Sequence, residues 1–192
     1  MSDSLLDRYG ARKYLVPRER GAFVQAALAA ETEIGRFCLT LAITGARLSE
    51  VLNLRRTSID IADEGIVFRT LKQRGKTTYR LVPAPSFLLN LLTVQGSVGD
   101  GDRLWTFQRT YAWAKVRMVM RSAGIGEKQC MPKALRHGFA VDAVLKGVPL
   151  NILQRWMGHA RLETTAIYAG VLGEEERKLA RKTWDVLEST SS

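Results

Sequence analysis

The β-strand signal in this chain is confined to residues 57–83, and that limits the fold more than any other feature. Thr57-Ser-Ile-Asp-Ile61, Ile66-Val-Phe-Arg-Thr70 and Tyr79-Arg-Leu-Val82 are short runs rich in β-branched and aromatic residues. Asp63-Glu64-Gly65 supplies a turn between the first two, and Pro83 ends the third. Between the second and third runs lies a basic tip, Leu71-Lys-Gln-Arg-Gly-Lys-Thr77. Strands this short, joined by links this short, pair antiparallel. On either side of them the apolar residues recur at helical spacing. A helix opens at Val16-Pro17-Arg18-Glu19 and carries Phe23, Ala26, Ala27 and Ala30. A second spans about 32–44 and stops at Gly45. Leu48, Val51 and Leu52 begin a short third helix, so Arg47 falls at a junction. Pro85 starts another through Leu88, Leu89, Leu91 and Leu92, and Gly96–Asp102 reads as a surface loop. Further helices are expected at about 108–123, 133–146, 149–157, 161–169 and 173–188. The expected fold is mainly α with a small three-stranded antiparallel sheet.

The chain of 192 residues fits one domain with short arms, and with 46% hydrophobic residues it can build a core. Lys and Arg number 29 against 19 Asp and Glu, a formal charge of +10 that favours a polyanionic partner. Two cysteines, Cys38 in an apolar run and Cys130, suggest neither a disulfide framework nor a zinc site. The N-terminus lacks an apolar signal core, and no run approaches the ~18 apolar residues of a membrane span. These points lead to the expectation of a cytoplasmic protein. Residues 1–13 are polar and mixed, and read as a mobile or partner-contacting arm.

Four short motifs carry chemistry. They are Thr44-Gly-Ala-Arg47-Leu-Ser-Glu50, then Met131-Pro-Lys133-Ala-Leu-Arg136-His137-Gly-Phe-Ala140, then Trp156-Met-Gly-His159, and Tyr168 nine residues after His159. Together they suit phosphoryl transfer to a tyrosine. Two guanidiniums can clamp the oxygens of a phosphodiester under attack and stay charged at any relevant pH. A tyrosine hydroxyl, with an ordinary pKa of about 10, needs help to lose its proton. A neighbouring histidine or lysine can act as acid or base. Lys133 and Arg136, three apart on an expected helix, project from one face. Glu50 is placed to pair with Arg47 and hold its direction. A different reading treats Ala143–Gly158 as a helix-turn-helix, which would make the chain a non-catalytic DNA-binding regulator. That reading leaves Arg47 and Tyr168 without a role. No cluster of Asp, Glu or His stands at metal-ligand spacing.

In this order and spacing the four motifs resemble the catalytic domain of the tyrosine recombinases, also called the phage-integrase family. The resemblance covers roughly residues 14–180. It implies a recombinase that cuts and rejoins DNA through a 3′-phosphotyrosyl intermediate without metal, ATP or cofactor. It implies Tyr168 as nucleophile, Arg47 and Arg136 as phosphate clamps, and His159 as a phosphate or tyrosine partner. Lys72, rather than Lys76, is favoured as general acid in the basic hairpin. Lys133 departs from the family, where histidine is usual at that position and lysine is the minority choice. His137 is expected to be a buried hydrogen-bonding support. The implied layout is an N-terminal arm at 1–13, a catalytic domain at 14–172 and a C-terminal helix at 173–192 that docks on a neighbouring protomer or on its own domain. The implied partners are double-stranded DNA and further copies of the chain, assembling as dimer to tetramer on paired sites. An accessory DNA-bending protein is a further candidate, no membrane is involved, and the setting is the cytoplasm, on a bacterial nucleoid. Most members carry a preceding clamp domain, so the chain is expected to be a short stand-alone type or part of a longer protein.

Overall fold

The computed structural model describes residues 4–71, 77–94 and 103–169. Two central helices are buried almost all round, and the other elements pack on them. The first is α2 (Thr32–Thr44), with Ile34, Phe37, Cys38, Leu41 and Ala42 in the core. The second is α6 (Pro132–Leu145), buried from Ala134 through Val144. A helix apolar on all sides belongs inside a domain. α6 nevertheless carries Arg136, His137 and Asp142 into that interior, and buried polar groups need partners.

The helix α1 (Pro17–Ala29) starts where the sequence signals it, with Pro17 in its first turn and Val16 N–H donating to the Glu19 carboxylate at 3.0 Å. It lies close on α2: a Cβ at Gly35 would sit 2.4 Å from the Ala27 carbonyl oxygen. The short α3 (Leu48–Leu52) follows α2 directly. The sheet comprises β1 (Ile59–Asp60), β2 (Gly65–Leu71) and β3 (Thr77–Pro83), antiparallel in the order β1-β2-β3. Ile66 pairs with Val82 and Phe68 with Arg80. Ile66, Phe68, Arg80 and Val82 are therefore the buried side of β2–β3. β1 is shorter than the expected 57–61 strand, because Arg56–Ser58 coils into a 3-10 turn closed by Arg55 N–H donating to Ser58 Oγ. Then come α4 (Ser86–Thr93) and α5 (Arg109–Ser122), close to expectation. Phe37, Trp105 and Phe107 stack edge to face between α2 and the approach to α5, with centroids 5.3 Å apart from Phe37 to each.

The C-terminal part departs from expectation in one respect. α7 (Leu150–Met157) forms as read, and Gly158 ends it in the left-handed region at φ +62°. The helix expected at 161–169 is only α8 (Glu163–Ala166), a single turn. Its β-branched Thr164-Thr165 pair favours extension little, and Thr165 turns its hydroxyl to a side chain. The described part of the N-terminal arm is also bound rather than loose. Lys13 N–H donates to the Leu5 carbonyl at 2.8 Å, and Leu5 is buried in the same apolar cluster as Val141, Leu153, Met157 and Tyr168. Within the segment, Asp7 Oδ1 accepts from the backbone N–H of Tyr9 and of Ala11, both at 2.8 Å. The C-terminal helix expected at 173–192 lies outside the described residues, as does the Gly96–Asp102 loop. Among the described residues no helix is long and apolar enough to cross a membrane.

Candidate active site

Arg47 is set by a glycine. Gly45 ends α2 at φ +61°, and a Cβ there would stand 2.2 Å from Phe139 Cδ1 of α6. Glycine alone lets α2 stop this close to α6 and turn into α3. Arg47 then caps α3 with its side chain 44% exposed. Its backbone N–H donates to Glu50 Oε2 at 2.8 Å and its Nη1 to Glu50 Oε1 at 3.0 Å. Glu50 does more than orient Arg47. From β3, Arg80 donates Nη1 to Oε1 at 3.1 Å and Nη2 to Oε2 at 2.8 Å, and Arg136 Nη1 stands 4.0 Å from Oε2. One carboxylate thus joins three arginines from α3, β3 and α6. Burial alone would raise the Glu50 pKa, but the hydrogen bonds and charge of Arg80, with Arg47, outweigh it and hold the carboxyl below its ordinary value.

Arg136 is 9% exposed, and it ties three chain segments together. Nη1 donates to the Gly45 carbonyl and Nη2 to the Met157 carbonyl, both at 2.6 Å. Nη2 is also 3.1 Å from His159 Nε2, and His159 Nδ1 is 2.9 Å from Thr165 Oγ1. A guanidinium can only donate, so Nε2 accepts and Nδ1 carries the proton that Thr165 receives. Burial, and next the charge of Arg47, pull the Arg136 pKa down to about 10, which still leaves it cationic at neutral pH. Arg80 fixes the frame from the far side. Its Nε donates to the Trp156 carbonyl at 2.8 Å, and a Cβ at Gly158 would lie 2.9 Å from its Nη1. The end of α7, and with it His159, is therefore seated on the same arginine that holds Glu50.

Tyr168 is 1% exposed, with its hydroxyl 2.7 Å from His137 Nδ1. It lines an open cleft of about 480 Å³ together with Arg47, Lys133, Arg136, His137 and His159. Arg109 and Trp113 of α5 form another wall. Five of the six residues picked from sequence, Arg47, Lys133, Arg136, His159 and Tyr168, meet in this cleft; Lys72, like Lys76, lies outside the described residues. A second groove shares Arg47 and His159 with the cleft and adds Arg69, Arg80, Arg155 and Arg161 beside Asn151 and Gln154. Among the described residues no three His, Cys, Asp or Glu side chains gather where they could hold a metal ion.

Sequence reasoning passed over Arg80 and Thr165 and gave His137 only a general supporting role. Arg80 had a usable signal: strand alternation puts it on the same face as buried Val82, where an arginine needs an acidic partner. Thr165 had none beyond lying between His159 and Tyr168.

A mainly helical fold with a three-stranded sheet, and a tyrosine set among arginines at the junction of α2, α6 and α7, define the class: the chain belongs to the phage integrase family, which it matches over residues 21–175. Among curated proteins it is 38% identical over 144 residues to one named probable integrase/recombinase of Methanocaldococcus jannaschii, covering 66% of this chain and 42% of that protein. It is 30% identical to tyrosine recombinase XerA of Thermococcus onnurineus, over 72% of this chain and 51% of the relative. The chain thus spans about half the length of the curated relatives it matches. Among solved structures, a XerA recombinase superposes with a TM-score of 0.73 at 25% identity, over 88% of this chain and 64% of that one. The catalytic domain of bacteriophage HP1 integrase superposes with a TM-score of 0.65 at 21% identity, over 88% of this chain and 93% of that one, a likeness of fold.

Proposed function

We propose that this chain is a site-specific DNA recombinase that cuts and rejoins strands through a covalent 3′-phosphotyrosyl link at Tyr168. The observation that carries the reading is the convergence of Arg47, Lys133, Arg136 and His159, from distant parts of the chain, on the cleft that Tyr168 lines. Arg47 and Arg136 hold the non-bridging oxygens of the scissile phosphate and stabilise the charge that builds there, a contribution of about 10²–10³ in rate for each. His159, steadied by Thr165, backs Arg136 from within the same cleft. Lys133 adds positive charge at the rim. Lys72 protonates the departing 5′ oxygen. The tyrosyl ester retains the phosphodiester's energy, so a 5′ hydroxyl of a partner duplex can reseal the strand without metal or ATP.

Residues 14–172 form the catalytic unit in this reading. Double-stranded DNA lies across the cleft and the adjoining arginine-lined groove, and further copies of the chain assemble on paired sites, with an accessory DNA-bending protein as a candidate helper. The setting is cytoplasmic. The test is a nicked suicide duplex mixed with the wild type and with Tyr168→Phe. A covalent protein–DNA adduct with the wild type alone is the expected result. A regulator that only binds DNA would give no adduct and would shift the duplex equally in both versions.

A further inference from the structure

Attack by Tyr168 requires a group to take its proton, and the groups around the cleft are unequal to that task. A lysine ammonium, such as Lys133 can present, only donates. Both ring nitrogens of His159 are engaged, one by Arg136 and one by Thr165. His137 differs: its Nδ1 is 2.7 Å from the Tyr168 hydroxyl oxygen. In the tautomer that carries the proton on Nε2, Nδ1 is the acceptor and the Tyr168 O–H donates to it. The imidazole is 8% exposed on α6, one of the two central helices, and adjoins Arg136 in the chain. The tyrosine oxygen is near enough to Arg136 to bear on its charge. Proton acceptor, nucleophile and phosphate clamp are thus grouped around one cleft by two consecutive residues of a single helix.

We propose that His137 is the general base for strand cleavage and the matching acid for resealing. It touches the reacting oxygen, and this role rests on the phosphotyrosyl reading above. In cleavage the Tyr168 O–H bond breaks and an Nδ1–H bond forms on His137. At the same time the tyrosine oxygen bonds to phosphorus, the bond from phosphorus to the 5′ oxygen breaks, and that oxygen takes a separate proton from the general acid named above. Resealing reverses each transfer, and His137 returns its proton to the departing Tyr168 oxygen. The charged or titratable side chains that line the cleft with His137 are Arg47, Arg109, Lys133, Arg136, His159 and Tyr168.

The test separates proton transfer from mere support. His137→Asn sets an amide oxygen near the place of Nδ1, which can accept the tyrosine hydrogen bond but cannot carry the proton away. In single-turnover cleavage of the nicked duplex this variant should bind DNA as the parent does and cleave about 10²–10³ times more slowly. Installing a fluorinated tyrosine at 168, whose phenol ionises more readily, should restore most of the variant's rate and change the parent's little. Wild-type speed in His137→Asn, or a loss that fluorination leaves untouched, overturns the proposal. If the variant does not fold, the wild type still decides. The chain has two histidines, so ¹⁵N spectra of labelled protein resolve each ring. His137 Nδ1 should be unprotonated in the free protein and protonated in the covalent adduct, and an unchanged Nδ1 refutes the role. If the wild type forms no adduct at all, the phosphotyrosyl reading itself fails, which a rate difference between parent and variant could not produce.

Discussion

Replacing Glu50 by glutamine removes one negative charge from a site where three guanidiniums converge. The Glu50 and Arg80 side chains are 8% and 7% exposed, so the change breaks a buried ion pair from one side. Breaking a buried pair from one side costs about 3–5 kcal/mol. Glutamine fills the same volume and keeps one carbonyl for Arg80, which places the expected loss toward the lower end. For a domain of this size that corresponds to a fall in melting temperature of roughly 6–20 °C. Circular dichroism melts of wild type and Glu50→Gln at neutral pH measure it. A second measurement tests the cause. The Glu50 pKa is depressed in the folded state, so its contribution is fully present above the ordinary value of 4.5 and is lost as pH falls through the lower, folded value. The gap between the two melting curves should therefore be widest at neutral pH and narrow as the pH drops through the carboxylate range. A variant that melts within about 3 °C of wild type at neutral pH, or a gap that ignores pH, would refute the view that Glu50 is the ionised hub of this site.

Arg47→Ala should behave oppositely: its half-exposed side chain leaves melting nearly unchanged, while cleavage of a nicked duplex falls about 10²–10³-fold. Gly45→Ala should lower both stability and cleavage, since the left-handed backbone costs about 1–2 kcal/mol and the new methyl meets Phe139; adding Phe139→Leu should recover part of the loss. Cys38, its thiol pushed up to about 12 by burial, should resist alkylating reagents in the native protein at neutral pH and react only after denaturation. DNA binding should weaken steeply between low and physiological salt, with a log–log slope of about −0.9 per phosphate contacted, and Arg155→Ala should make that slope shallower by about one unit.

Much of this molecule was readable one element at a time. Helical spacing placed α2 and α6 to within a residue or two, Pro17 and Gly45 marked their helix ends, and the strand run gave the sheet and its antiparallel sense. Five of the six side chains picked from sequence gather in one cleft, and they could be picked because their motifs are short and ordered, which needs no knowledge of packing. Local signals did fail where tertiary contacts act: the arm is held by Leu5 entering a cluster, and the last described turn is shortened around Thr165.

Residue type, spacing and turn chemistry are properties of neighbours along the chain, and they determined the helices, the three strands and the short motifs from which the candidate site residues were picked. The pairing of buried polar groups belonged to the tertiary structure. Glu50 meets Arg80 across 30 residues, and His137 meets Tyr168 across 31. A buried charge or hydroxyl must find a partner wherever packing offers one, and which partner that is depends on how α3, β3, α6 and α7 come together rather than on any of them alone.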